Sequence, residues 1–220
     1  MAAELIADPS RAAILDALME KRALTAGELA RQARVTPQTA SSHLAKLVAG
    51  GLLTMTTQGR HRYYALASAE VAYCLEALAC IAPSVPIRSL RESLVEERLH
   101  VARTCYDHLA GKLGVELTQI FIETRLLTAE GQNYAVTNEG ARFFLDFGLD
   151  LELLRRQRRM FARQCLDWSE RRYHLAGSLG TAIARQLFER GWLEKIPSCR
   201  ALRVTDKGRV GLLEMFGLRM

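Results

Sequence analysis

Two cysteines and two histidines in the second half of the chain form the set best suited to metal or redox chemistry. Cys105 and His108 are three residues apart, a spacing that places both side chains on one face of a helix. Cys165 and His174 occupy matching places in a second run of similar sequence. Thiolate and imidazole groups together suit zinc or another borderline metal ion. The sequence therefore predicts a metal site with ligands from both runs: Cys105, His108, Cys165 and His174.

Two other interpretations of these runs stay open. A small organic or reactive ligand would also contact the aromatic and acidic side chains nearby, which are Tyr106, Asp107, Asp167 and Trp168. On a helix, however, Asp107 would point away from the face shared by Cys105 and His108. Alternatively, the repeated HLAG segments only pack helices closely, and each histidine bonds a backbone carbonyl. The cofactor or effector thus stays unidentified, with a divalent metal ion and a small molecule as the candidates.

The two runs belong to a longer internal duplication, which covers about residues 100–148 and 161–218. The matching segments are ARTCYD with ARQCLD, HLAGKLG with HLAGSLG, and YAVTNEG with LRVTDKG. Each copy is predicted to form helix, helix, short hairpin and helix, and the apolar strand followed by Thr-x-x-Gly resembles the wing of winged-helix folds. Between the copies, residues 149–163 are predicted to form a basic amphipathic helix.

Another set of polar side chains lies on one predicted helix, Gln38–Val48. Its inner face carries Ala40, Leu44 and Leu47. Its outer face carries hydroxyl and amide groups followed by a cation, on Gln38, Thr39, Ser41, Ser42, His43 and Lys46. Groups of this kind suit the major groove of DNA, where hydrogen-bonding side chains reach base edges and cations reach phosphates.

A predicted hairpin follows that helix and carries a basic tip. Strands at residues 52–57 and 61–66 flank Gln58-Gly59, and Arg60 and Arg62 lie beside His61. The chain has a net charge of +6, and residues 29–69 contain five Lys or Arg but no Asp or Glu. Such an uncompensated stretch favours contact with phosphates, although a basic solvated surface is the alternative.

Helix-start signals predict how these groups are positioned. Thr25 with Glu28 is a capping box, and Thr36 followed by Pro37 is an N-cap with proline at the first helical position. The pair Gly50-Gly51 ends the helix that carries the polar face. The order is therefore helix, turn, helix and hairpin.

In this order, residues 5–82 resemble the winged helix-turn-helix of the ArsR/SmtB family of bacterial repressors. The most specific pieces are Ser41-Ser42-His43-Leu44, the following Leu47 with Gly50-Gly51-Leu52, and Gly59-Arg60 through Tyr64. The resemblance implies a homodimer that binds an imperfect palindrome in double-stranded DNA and releases it when an inducer binds. It also implies that helix 68–82 mediates dimerisation.

The sequence departs from this family in two ways. Ser42 stands where the family often has a basic residue. Metal sensors of the family often bind through cysteines near the helix-turn-helix or through Asp and His on the dimerisation helix. Here no cysteine precedes Cys74, and helix 68–82 contains no histidine. Cys74 and Cys80 are instead expected to be small buried apolar residues.

These observations predict a mainly α protein with small β-hairpins (α+β). The predicted parts are a winged helix-turn-helix domain (1–67), a dimerisation helix (68–82), a linker and connecting helix (83–99), and a duplicated region of two winged-helix-like repeats (100–220). The predicted function is a homodimeric DNA-binding repressor released by a metal, small-molecule or redox signal that acts through the duplicated region.

Several classes of function are disfavoured. Within the 220 residues no apolar run reaches the roughly 20 needed to span a bilayer. The first residues lack an export signal and the five cysteines are scattered, so a cytoplasmic protein with free thiols is expected. The chain contains no phosphate loop, nucleophile elbow or HExxH, so we expect no enzyme. The remaining alternatives are a thiol-based redox sensor and a protein-interaction module that uses the winged helix.

Overall fold

The computed structural model describes residues 2–20, 22–82, 89–197 and 199–220. The chain forms two compact units, Met1–Leu75 and Glu76–Met220, and the division falls within one helix. Pro83 and Pro86 of the predicted linker lie outside the described residues. Among the described helices, none combines the length and the apolar character needed to cross a bilayer. The predicted class, mainly α with small hairpins, is confirmed.

The N-terminal unit consists of short helices followed by a hairpin. Its elements are α1 (Ala2–Ile6), α2 (Pro9–Ala17), a 3-10 turn (Leu18–Glu20), β1 (Leu24–Thr25), α3 (Ala26–Gln32), α4 (Pro37–Ala49), β2 (Leu53–Gln58), β3 (His61–Leu66) and the start of α5 (Ala69–Ile81). The strands form one antiparallel sheet in the order β1-β3-β2. This order of elements is that of a winged helix-turn-helix.

Side-chain caps and a small core fix α4. The Thr36 hydroxyl accepts a hydrogen bond from the Thr39 amide at 3.1 Å, and Pro37 begins the helix. Leu44 and Leu47 are fully buried, as is Leu29 on α3. The inner face of α4 therefore faces the core of the unit, and its opposite face is left to solvent.

The C-terminal unit alternates hairpins and helices. Its further elements are α6 (Leu90–Val101), β4 (Arg103–Cys105), β5 (His108–Ala110), α7 (Gly111–Glu123), β6 (Leu127–Glu130), β7 (Asn133–Val136), α8 (Asn138–Asp146), α9 (Leu151–Arg155), β8 (Arg163–Leu166), β9 (Tyr173–Ala176), α10 (Gly177–Glu189), β10 (Leu193–Lys195), β11 (Leu202–Val204) and α11 (Asp206–Phe216). The sequence echoes fall on matching elements, since each half reads hairpin, helix, hairpin, helix. The duplication itself stays a prediction.

Two predictions about this unit are wrong. The first element of each half is a hairpin and not a helix, because the chain reverses within a few residues and pairs with itself. In the first half Tyr106 adopts the left-handed backbone conformation (φ 58°) that the tight turn requires. The predicted basic helix 149–163 is helical only at Leu151–Arg155. Its run of arginines brings like charges together at helical spacing, which disfavours continuation.

The halves exchange backbone hydrogen bonds reciprocally. The Tyr134 amide on β7 donates to the carbonyl of Ala162, just before β8, at 3.0 Å. In the equivalent contact of the other pair of hairpins, the Leu202 amide on β11 donates to the carbonyl of Ala102, just before β4, at 2.8 Å. The second hairpin of each half thus pairs with the first hairpin of the other half.

The repeated Thr-x-x-Gly segments close each second hairpin onto the helix that follows it. The Thr137 hydroxyl accepts from the Gly140 amide, and the Thr205 hydroxyl accepts from the Gly208 amide, both at 2.9 Å. A Cβ on either glycine would lie 2.1 Å from a backbone carbonyl oxygen, that of Leu126 or of Trp192. Glycine is therefore required here by close backbone approach.

Candidate nucleic-acid interface and buried cysteine-histidine cluster

The outer face of α4 is exposed along most of its length. Five of the six residues predicted to approach bases or phosphates from this helix are exposed: Gln38, Thr39, Ser41, Ser42 and Lys46. The Ser41 hydroxyl donates to the Pro37 carbonyl at 2.8 Å, and the Thr39 and Thr36 hydroxyls are 2.8 Å apart. These short side chains lie close to the helix backbone and leave room for a groove to approach.

His43 is placed differently from its neighbours. It is half-buried, and its Nδ1 lies 3.5 Å from Arg11 Nη1 on α2. Arg11 is itself held by a hydrogen bond from Nε to the Leu5 carbonyl at 2.6 Å. The ring of His43, predicted on the outer face, therefore also contacts α2 and is less exposed than its neighbours.

The tip of the β2-β3 hairpin is exposed and basic. Gly59 has a φ of 58°, which gives the tight turn, and Arg60, His61 and Arg62 are all exposed. Lys46, Arg60 and Arg62 take no part in the ion pairs found between described residues. These three cations are thus available to an external anion.

The four predicted metal ligands converge in the C-terminal unit. Cys105 pairs with His108 across the β4-β5 hairpin, and Cys165 pairs with His174 across the β8-β9 hairpin. The two sulfurs are 3.8 Å apart, and the two Nε2 atoms are 3.1 Å apart. All four potential ligand atoms lie within 4.8 Å of one another. Three of the side chains are fully buried, and Cys165 is 7% exposed.

A carboxylate faces the outer nitrogen of each histidine. Asp107 Oδ1 lies 3.4 Å from His108 Nδ1, and Asp167 Oδ2 lies 3.3 Å from His174 Nδ1. Arg159 binds Asp107 through both terminal nitrogens, at 2.6 and 3.2 Å. The prediction that Asp107 points away from His108 is therefore wrong, because these residues lie at a hairpin turn and not on a helix.

Asp167 is the centre of a buried hydrogen-bond network. Its Oδ1 accepts from Arg103 Nη2 at 2.9 Å, and its Oδ2 accepts from the Gly111 amide at 2.7 Å. Both Asp167 and Arg103 are fully buried. Burial raises the pKa of Asp167, but His174 and Arg103 outweigh this effect and hold the pKa well below its usual value. Asp167 is therefore ionised.

Hydrogen bonds within the cluster set the ionisation of its members. The bond with Cys105, followed by those with His108 and His174, lowers the pKa of Cys165 to about 2. Burial raises the pKa of Cys105 well above its usual value. Burial also lowers the pKa of His174, but Asp167 and Cys165 outweigh it and raise that pKa to about 9. These contacts favour the thiolate form of Cys165 and the protonated form of His174.

The two aromatic residues predicted to contact a ligand lie outside the cluster. Tyr106 occupies the β4-β5 turn and is half-buried. The Trp168 ring stacks under the Arg103 guanidinium at 4.4 Å and contacts the His100 ring. Cys80 is buried as expected, whereas Cys74 is exposed and its predicted burial is wrong.

Two arginines that support the cluster, Arg103 and Arg159, were not predicted from the sequence. Arg103 precedes Cys105 by two residues, as Arg163 precedes Cys165, so the ARTC and ARQC echoes contained a signal. Arg103 is buried against Asp167, whereas Arg163 is only half-buried. Arg159 lies in the segment 149–163 predicted as a basic amphipathic helix, and no sequence signal connects it with Asp107.

Comparison with known proteins identifies relatives for most of the chain. Residues 6–56 match a family described as a helix-turn-helix domain. The uncharacterized HTH-type transcriptional regulator YdfF of Bacillus subtilis (strain 168) is 47% identical over 206 residues, which cover 94% of this chain and 91% of that protein. The crystal structure of NolR from Sinorhizobium fredii is 31% identical over 38% of this chain and 82% of its own, with a TM-score of 0.34. The cadmium sensor CMTR from Mycobacterium tuberculosis is 32% identical over 41% of this chain and 97% of its own, with a TM-score of 0.33.

Proposed function

This chain belongs to the HTH-type transcriptional regulators, and from that premise we propose that it is a homodimeric repressor whose DNA affinity is controlled through its C-terminal unit. It has a winged helix-turn-helix DNA-binding domain. The observation that carries the proposal is the exposed face of α4 beside a hairpin tip with uncompensated cations. Repression, self-association and control by an effector are parts of the proposal.

In this proposal α4 enters the major groove of double-stranded DNA. Gln38, Thr39, Ser41 and Ser42 approach base edges, and Lys46 approaches a phosphate. Arg60 and Arg62 bind the sugar-phosphate backbone beside the groove. His43 is held against α2 beside Arg11, and in this proposal it supports the position of α4 and does not contact bases directly.

Self-association places two copies of α4 on one operator. The helix α5 leaves Leu78 and Ile81 exposed, Ile81 at 80%. An apolar helix face of this kind favours a two-fold dimer, and such a dimer binds two half-sites about one DNA turn apart. Sedimentation of the free chain and of its operator complex tests this part: two chains per palindrome supports it, and one chain per site contradicts it.

Control by an effector is proposed to act through the C-terminal unit. The buried cluster around Cys105 and Cys165 and its charged surroundings give that unit a chemically responsive centre. Operator binding measured with reduced, oxidised, metal-free and metal-loaded protein tests this part. Equal operator affinity in all four states would contradict a regulatory role for the cluster.

Replacing Arg60 by alanine should weaken DNA binding on every sequence to a similar extent. Arg60 carries an exposed charge at the hairpin tip and is proposed to neutralise one phosphate. The slope of log K against log salt concentration should therefore become shallower by about one contact. Fluorescence anisotropy with two unrelated duplexes over a range of salt concentrations measures both quantities.

The control for this prediction is Arg22→Ala. Arg22 is also partly exposed in the N-terminal unit, but it forms an ion pair with Glu20 at 2.9 Å. This variant should keep the salt slope of the unaltered protein. A loss of binding in Arg60→Ala that is confined to one duplex sequence would contradict the assignment to the backbone.

A further inference from the structure

We propose that Cys105, His108, Cys165 and His174 bind one divalent zinc ion in a closed tetrahedral site inside the C-terminal unit. Zinc binding at this cluster does not depend on DNA binding, and it identifies the ligand that the regulatory proposal leaves open. Each half of the unit supplies one sulfur and one nitrogen.

The sulfur-sulfur and nitrogen-nitrogen distances match two edges of a tetrahedral site. With Zn–S bonds of about 2.3 Å and Zn–N bonds of about 2.0–2.1 Å, the edges of a tetrahedron are about 3.8 Å between sulfurs and about 3.3 Å between nitrogens. The cluster has 3.8 Å between the sulfurs of Cys105 and Cys165, and 3.1 Å between the Nε2 atoms of His108 and His174. The four sulfur-nitrogen distances lie within 4.8 Å, compared with about 3.6 Å around a tetrahedral zinc ion, so binding would draw the sulfurs and nitrogens together by at most about 1.2 Å.

The orientation of the two histidines also indicates a cation between them. Asp107 Oδ1 lies 3.4 Å from His108 Nδ1 and Asp167 Oδ2 lies 3.3 Å from His174 Nδ1, although the His174 Nδ1 makes no hydrogen bond to the described residues. The nearby carboxylates favour a proton on Nδ1 of a neutral ring, which leaves the Nε2 lone pair for an ion. Two such lone pairs at 3.1 Å repel each other unless a proton or a metal ion lies between them. Carboxylates that orient histidines in this way are the usual outer shell of zinc sites.

The ligand types select the kind of ion. Two sulfurs with two imidazole nitrogens favour zinc over magnesium or calcium, which require oxygen ligands. Four protein ligands in a buried position leave no coordination place for water or substrate, which is the arrangement of structural zinc sites. On binding, the ion takes the place of the protons held by the Cys105 thiol and between the imidazoles, and these protons pass to solvent.

Metal content and Co²⁺ absorption of the full chain test the proposal. Reduced protein equilibrated with Zn²⁺ and dialysed should retain one zinc per chain. Metal-free protein titrated with Co²⁺ should develop the visible bands of a tetrahedral ion and a sulfur-to-cobalt charge-transfer band. Cys105→Ser should lose affinity by more than the roughly 10–100-fold that removal of an outer-shell partner costs.

Cys74→Ser is the matched control, because Cys74 is the exposed cysteine of the chain. It should retain one zinc and the full cobalt spectrum. If Cys105→Ser fails to fold, alkylation of the unaltered protein replaces it: Zn²⁺ should protect Cys105 and Cys165 and leave Cys74 reactive. Absence of bound zinc, or a cobalt spectrum without sulfur bands, would overturn the proposal.

Asp107→Asn should lower Co²⁺ affinity by about 10–100-fold while the sulfur charge-transfer band remains. Asp107 acts as a positioning residue, because its carboxylate orients His108 and is not a ligand. Asp107→Glu should recover part of the affinity, which a purely structural role would not predict. Asp206→Asn, at a carboxylate fully exposed to solvent, is the control and should bind Co²⁺ normally. Unchanged affinity in Asp107→Asn would remove the carboxylate from the site.

Discussion

Replacing Asp167 by alanine should lower the free energy of unfolding of the C-terminal unit by about 3–5 kcal/mol. The change leaves the fully buried Arg103 guanidinium without its carboxylate partner. It also removes the acceptor of the buried Gly111 amide, and of three part-buried donors: the amides of Ser169 and Glu170 and the hydroxyl of Ser169. An unpaired buried charge costs far more than an exposed ion pair contributes.

Urea denaturation followed by tryptophan fluorescence measures this loss. Both tryptophans, Trp168 and Trp192, belong to the C-terminal unit, so the signal reports the unfolding of that unit. Glu194→Ala is the control, because it breaks the exposed ion pair of Glu194 with Arg203 in the same unit. The control should cost less than about 1 kcal/mol. A loss in Asp167→Ala no larger than in the control would show that Arg103 finds another partner.

Gly208→Ala should lower the stability of the same unit by about 3 kcal/mol or more. The added Cβ would lie 2.1 Å from the Trp192 carbonyl oxygen and 2.8 Å from its carbon, and these backbone atoms are held by the adjoining hairpin. The backbone must therefore move, and the hydrogen bond from the Gly208 amide to Thr205 would be strained.

The matched controls for this change lie on α11 and in the other half. Val210→Ala alters an exposed side chain two residues along the same helix and should shift stability by no more than about 0.5 kcal/mol. Gly140→Ala should reproduce the loss, since its Cβ would lie 2.1 Å from the Leu126 carbonyl oxygen. Urea denaturation followed by tryptophan fluorescence measures the stability of all three variants. Equal stability of Gly208→Ala and Val210→Ala would contradict the requirement for glycine.

The N-terminal unit was predictable because its local signals and its hydrophobic periodicity agree. The Thr36-Pro37 start, the buried positions Leu44 and Leu47, and the Gly50-Gly51 end each indicate the same helix, and the structure has it at Pro37–Ala49. The contact of His43 with α2 was not predicted because it depends on Arg11, which is distant in sequence. Periodicity gives the direction of a side chain but not the partner it meets.

The members of the cysteine-histidine cluster were predictable, but the backbone that brings them together was not. Metal-binding residue types at matching positions in the two runs pointed to Cys105, His108, Cys165 and His174. The spacing of three in the first run fits a helix face and equally fits a hairpin with a two-residue turn, and periodicity cannot separate such short cases. The second run, with six more residues between its cysteine and histidine, could have favoured the hairpin, because strand pairing tolerates a longer turn.

The supporting shell lay beyond sequence reasoning for a physical reason. Arg159 reaches Asp107 from 52 positions away, and Arg103 reaches Asp167 from 64 positions away. Such pairs depend on how the two halves of the unit pack together, and this packing cannot be predicted from runs of charged residues. The predicted helix over 149–163 also left out such a partner: besides the repulsion among its arginines, Arg159 of that segment binds Asp107.

The reciprocal pairing of hairpins has a consequence for the order in which the protein forms on the ribosome. The Leu202 amide donates to the carbonyl of Ala102, 100 positions earlier, so the chain just before β4 gains this contact only after residue 202 has been synthesised. Contacts this distant in sequence slow folding and leave unsatisfied strand edges exposed in the meantime. The N-terminal unit folds through contacts among its own residues. We therefore expect it to fold on the nascent chain well before the C-terminal unit, which is proposed to control its DNA affinity.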